Sequence, residues 1–239
     1  MTDISNPVAR RAFVTGFGVG AAALSTGLAA CASAKETPKP AMGAATALAR
    51  WQPAFDAKDG WMEVPSRHRM AFDATSDQGA ANAIGFADTF IGTNASGYGI
   101  EPSELGVIVI LRHYATPYAY TDPVWAKYGH VFAKVDKLKD PKAKKGPAMR
   151  NVLEAADVKT MFNDGVTFSA LAKKNVRYAV CGEATKKIAG MIAKKMTLDA
   201  KTVEAELAAH LIPSAHLMAS GILALNRVQE HGYAFAYVG

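Results

Sequence analysis

Gly106-Val107-Ile108-Val109-Ile110-Leu111 is the stretch on which the fold turns. Its apolar run is rich in β-branched residues, which suit a pleated sheet better than a helix. No polar residue interrupts it, so neither face is expected to meet water. Such a run belongs at the centre of a parallel sheet covered by helices on both sides. Upstream, Gly79 to Ile91 carries Ala80, Ala83, Ile84, Ala87, Phe90 and Ile91 at steps of three and four, the period of a helix. Ser76 or Asp77 can cap it, and Arg67 to Phe72 reads as the strand before it.

Downstream the same rhythm returns. Thr167 to Lys174 reads as a short helix, and Val176 to Cys181 as a strand with Val176, Tyr178 and Val180 alternating. Ala184 to Lys195 is amphipathic, with Ala184, Ile188, Met191 and Ile192 placed inward and lysines outward. Val203, Leu207 and Leu211 mark a further helix. Ser214 then reads as the cap of a helix bearing Leu217, Gly221, Leu225 and Val228, stopped by Gly232. Tyr233 to Tyr237 alternates as a last strand. The alternation predicts an open α/β sheet with right-handed crossovers.

The composition sets outer limits. At 239 residues, 50% hydrophobic and 20% charged, the chain is neither disordered, collagenous nor a multi-span membrane protein. A formal net charge of +6 is too small to call for nucleic acid, so none is expected as a partner. Two cysteines exclude a disulfide scaffold and a cysteine-cluster metal site. The histidines show no ligand spacing, and His113 with His130 is set aside as a metal or haem pair. No Walker loop or serine elbow is present, and neither metal nor cofactor is expected.

Residues 1–30 read as an export signal. A basic start (Arg10-Arg11, then Phe13) precedes an uncharged, small-residue run from Phe13 to Ala30, and resembles a twin-arginine signal. Leu28-Ala29-Ala30-Cys31 resembles a bacterial lipobox, which would put a lipid on Cys31; the alternative is cleavage after Ala32-Ser33-Ala34. Both place the protein in the periplasm or cell envelope, the first with membrane attachment through Cys31. Residues 31–60, with Lys35-Glu36-Thr37-Pro38-Lys39-Pro40, are expected to be an extended tether, with room for a short helix around Trp51 and Phe55. Residues 61–239 are expected to form one domain.

The chemistry is sparse. Ligands of open parallel sheets sit beyond the carboxyl ends of the strands. His113 follows the strand ending at Leu111, and Cys181 ends the strand from Val176, with Gly182 opening the turn into the next helix. At a helix N-terminus a thiol meets the positive end of the dipole and unpaired N–H groups, which favour a thiolate, a persulfide or a bound anion. The other reading is a buried cysteine that acts as a small apolar residue. The aromatics Tyr114, Tyr118, Tyr120, Trp125, Tyr128 and Phe132 suit either a lid over the site or a helix held to the body by Trp125, Tyr128 and Phe132, and the second is preferred. Lys137 to Lys145 reads as a solvated loop.

Asn175-Val176-Arg177-Tyr178-Ala179-Val180-Cys181-Gly182-Glu183-Ala184 resembles the third-strand motif of the DsrE-like family of sulfur-relay proteins, in which the strand ends in a persulfide-carrying cysteine. Leu211-Ile212-Pro213 and the stretch from Leu225 to Phe235 are similar to that family's final strand–helix–strand, and Val107 to Leu111 with His113 resembles its second strand. The resemblance spans about residues 66–239. It implies a three-layer α/β sandwich around a roughly five-stranded, mostly parallel sheet, commonly in a homo-oligomer. It also implies that Cys181 carries sulfur, that His113, Tyr114 and Gly182 shape a ligand site, and that the partner is a small sulfur compound or a sulfur donor or acceptor protein. The chain departs from the family in its export signal, its long aromatic stretch 113–165 and the lack of a second thiol to resolve a persulfide. The expected function is binding or transfer of sulfane sulfur through Cys181. The alternative is a non-catalytic module whose 113–132 segment holds a small ligand or a partner; whether the protein is an enzyme stays open.

Overall fold

In the computed structural model, strand β2 (Leu105–Leu111) is buried along its whole length. It pairs in parallel with β1 (His68–Ala74) on one side and β3 (Val176–Cys181) on the other. The structure describes residues 52–133, 138–143 and 145–239. The signal, Cys31, both cleavage alternatives and the tether up to Trp51 lie outside the described residues. Among the described residues no helix is long and apolar enough to cross a membrane.

Two further strands, β4 (Ala215–Met218) and β5 (Ala234–Val238), complete an all-parallel sheet of order β4-β3-β2-β1-β5. The chain therefore steps outward from β1 to β4 and then returns past β1. Helices α1 (Asp77–Tyr98), α2 (Asp122–Phe132), α3 (Phe168–Ala172), α4 (Gly182–Met196) and α5 (Ala200–Ala209) precede the return, and α6 (Gly221–Glu230) makes it. Right-handed crossovers put a helix that runs backwards across the sheet on the opposite face. The two cores follow this rule. Leu105, Val107, Val109 and Leu111 of β2 pack with Ile84 of α1, Trp125 of α2, Phe168 of α3 and Ile192 of α4. Ile108 and Ile110 point the other way, with Ala71 and Ala179, under Ala224 and Val228 of α6. Residue parity along a strand decides which core each side chain enters.

Met62 completes the second core from a 3-10 helix, Ala57–Met62. The Trp61 carbonyl accepts from Arg177, the Tyr233 hydroxyl donates to the Met62 carbonyl at 2.7 Å, and Arg227 pairs with Asp59 at 3.3 Å. Residues 57–60, the far end of the expected tether, are thus part of a docked turn.

Two local expectations change. Residues 215–218 are strand, not helix: Ser214 takes a left-handed backbone (φ 60°), β4 follows, and α6 starts at Gly221 with Ser220 as its cap. A four-residue strand shows no diagnostic alternation, and pairing with β3 decides its state. Met191 is not inward but 43% exposed. Tyr118, Tyr120, Trp125, Tyr128 and Phe132 are all core residues, with the Trp125 ring N–H donating to the Pro117 carbonyl at 3.1 Å. The preferred packed-helix reading holds for them, and no lid is formed by these rings.

Candidate functional site

All five strands point the same way, so their carboxyl ends share one edge of the sheet. Along that edge lies a cleft of about 780 Å³. Arg112, His113 and Tyr114 after β2, Cys181 at the end of β3, and Ser220, Gly221 and Ile222 after β4 form its walls. Helix α4 supplies the remaining side, from Glu183 and Ala184 to Lys187, Ile188 and Met191.

Cys181 is both the last residue of β3 and the N-cap of α4. Its Sγ accepts a hydrogen bond from the Ala184 N–H at 3.4 Å, so charge developing on the sulfur faces a donor. The residue is 6% exposed and lines the cleft. A hydrogen-bond chain behind it anchors the helix start: the Thr185 hydroxyl donates to the Cys181 carbonyl at 3.0 Å, and the Tyr120 hydroxyl donates to Thr185 at 2.9 Å. Burial pushes the Tyr120 pKa far above its ordinary value, so this hydroxyl remains a donor.

Gly182 opens α4 directly after Cys181. It is not among the cleft-lining residues. A Cβ there would stand 2.6 Å from the Met218 carbonyl oxygen, so the missing side chain lets the end of β4 approach the start of α4. At Gly221 a Cβ would lie 2.5 Å from the Cβ of Arg112, which brings the start of α6 against the chain leaving β2.

His113 takes a left-handed backbone (φ 53°), a sharp turn that leaves His113 and Tyr114 exposed at the cleft. Arg112, the residue before them, reaches back into the sheet. Its Nε and Nη2 donate to the two Asp73 oxygens at 2.7 and 2.8 Å. That bidentate pair raises the Arg112 pKa above its ordinary value. Asp73 is fully buried, and its pairing leaves Nη1 as the guanidinium nitrogen that Asp73 does not engage.

The structure thus brings Cys181, His113 and Tyr114 to one cleft. Cys31 lies outside the described residues. Sequence reasoning missed Asp73, Arg112, Thr185, Tyr120 and the α6 wall. A signal for the first pair was present: an aspartate within a buried strand needs a cationic partner. His130 is not among the lining residues, His216 stacks on Trp61 with ring centroids 4.2 Å apart, and His231 lies 2.6 Å from Glu63. No group of three or more metal-ligating side chains occurs among the described residues.

The chemistry open to this arrangement is that of one thiol at the mouth of a helix, beside a guanidinium and an exposed imidazole. Cys181 is the sole cysteine of the described residues and forms no disulfide. Compared with family models, curated proteins and solved structures, the chain matches none of them.

Proposed function

We propose that the protein binds or transfers sulfane sulfur through Cys181. The observation that carries this reading is the convergence of the thiol with His113 and Tyr114 on one cleft at the carboxyl edge of the sheet. In the proposed step the Cys181 thiolate attacks the terminal sulfur of a persulfide, R–S–SH. The donor's S–S bond breaks, R–S⁻ leaves with the bonding pair, and Cys181 becomes Cys–S–SH. The proton stays on the transferred sulfur, and no outside oxidant or reductant is needed. The Ala184 N–H supports charge on the attacking sulfur, and in this reading the His113 imidazole of the same cleft takes the Cys181 thiol proton and gives it to the departing thiolate.

The test is intact mass after exposure to a low-molecular-weight persulfide. The expected result is a gain of about 32 Da, one sulfur atom, on Cys181, and none in Cys181→Ser. An unmodified Cys181, or equal sulfur transfer by Cys181→Ser, refutes the reading. Export belongs to the same proposal: protein from the native envelope should begin at an acylated Cys31 or just after Ala34. A homo-oligomer is proposed on the resemblance alone.

Non-catalytic binding in the same cleft is the second reading, favoured by the low exposure of Cys181. Tyr118 and Trp125 cannot serve it directly, because both are fully buried. It requires that Cys181→Ser leave ligand affinity unchanged while no sulfur is transferred.

A further inference from the structure

The cleft is larger than an inorganic sulfur species needs. A volume near 780 Å³ belongs to the range that encloses a mid-sized organic molecule. One wall runs along α4, from Glu183 to Met191. From Gly182 to Met191 the helix rises about 14 Å, at about 1.5 Å per residue. The wall beyond the sulfur is apolar, with Ile188 and Met191 on α4 and Ile222 on α6. Ile222 is 63% and Met191 43% exposed, unusual for aliphatic side chains around a recess unless something apolar covers them.

Charge along the groove is ordered. Glu183 stands at the sulfur end, and Lys187 one turn further along, about 8 Å from the helix start. Lys187 forms no ion pair among the described residues. At the sulfur end the Arg112 charge is matched by Asp73, so Glu183 is the carboxylate left to disfavour a compact dianion against Cys181, whereas Lys187 favours an anionic group held further out.

We infer that the sulfur compound served by Cys181 is an organic thiol or persulfide with an apolar body and an acidic tail, its sulfur at Cys181, its body along Ile188, Met191 and Ile222, and its anion at Lys187. This rests on the sulfur-transfer reading above and adds the substrate class.

Calorimetry on the Cys181→Ser protein tests it with a probe that cannot exchange sulfur, 6-(methylthio)hexanoate, against 6-(methylthio)hexan-1-amine and thiosulfate. The carboxylate should bind about tenfold more tightly than the amine or thiosulfate. Lys187→Glu should erase that preference, and Ile222→Ser should weaken the carboxylate about tenfold. Both changes are at exposed positions, so folding is preserved and is checked by an unchanged melting temperature. Equal binding of carboxylate and amine, thiosulfate binding as tightly as the carboxylate, or no binding of the carboxylate overturns the inference. The two readings fail separately. Sulfur transfer to wild-type Cys181 without selective thioether binding sinks only the substrate class. Selective binding without any persulfide on Cys181 sinks only the sulfur transfer.

Discussion

Arg112→Met and Asp73→Asn should destabilise the protein unequally. The Asp73 side chain is 1% exposed and the Arg112 side chain 16%. Removing one partner of a buried ion pair costs about 3–5 kcal/mol, because the other charge remains without compensation. Arg112→Met strands the carboxylate inside the sheet, where water cannot reach it, so its cost belongs at the upper end, about 4–5 kcal/mol. Asp73→Asn strands a guanidinium at the rim of a cleft, where it can turn into solvent, so about 2–3 kcal/mol is expected. With a urea slope of about 2 kcal/mol per M, the unfolding midpoints should fall by about 2 M and about 1 M. The double variant Asp73→Leu with Arg112→Met should recover most of the loss, since an apolar pair of similar volume removes both desolvation penalties. Urea titration by circular dichroism on the wild type and the three variants reads each loss directly. Losses below about 1 kcal/mol for both single variants, or a larger loss for Asp73→Asn, would refute the account of how Arg112 is held.

Gly182→Ala should cost about 1–3 kcal/mol by overpacking against the Met218 carbonyl and should change the labelling rate of Cys181 with a small thiol reagent; an unchanged rate and stability would remove its spacer role. Trp125→Ala should cost about 3–5 kcal/mol in urea titration, as a core residue does, whereas a lid residue would lose ligand affinity at constant stability. Burial, and then Arg177, lowers the His216 pKa below 6.5. The unfolded chain therefore takes up the proton first, and the stability present above pH 6.5 declines as pH falls below it. His216→Phe, which keeps a ring on Trp61, should flatten that slope in melting temperatures taken between about pH 5.5 and 7.5; an unaltered slope would show that His216 is not its source.

The legible parts of the fold were those with a local period. The run from Gly106 to Leu111 announced a strand buried on both faces, and β2 is buried along its length. The alternation of Val176, Tyr178 and Val180 placed Cys181 at a strand end, which is where it lies. Cys181 and His113 could be paired in advance because parallel strands finish on one edge. β4 escaped because four residues carry too little pattern, and Met191 because its side of α4 borders the open cleft, which the helical period does not reveal. Asp73 and Arg112 are 39 residues apart, and no local rule joins them.

The residue order alone determined the alternation of strands and helices and the seat of the thiol at a strand–helix junction. Those features follow from side-chain periodicity and backbone sterics, which act within a few residues. The tertiary structure decided the strand order, the placement of α6 on the second face, the Asp73–Arg112 pair and the aliphatic wall beside Cys181. Each arises from burial and pairing between segments distant along the chain, where only the packed fold brings the partners within reach.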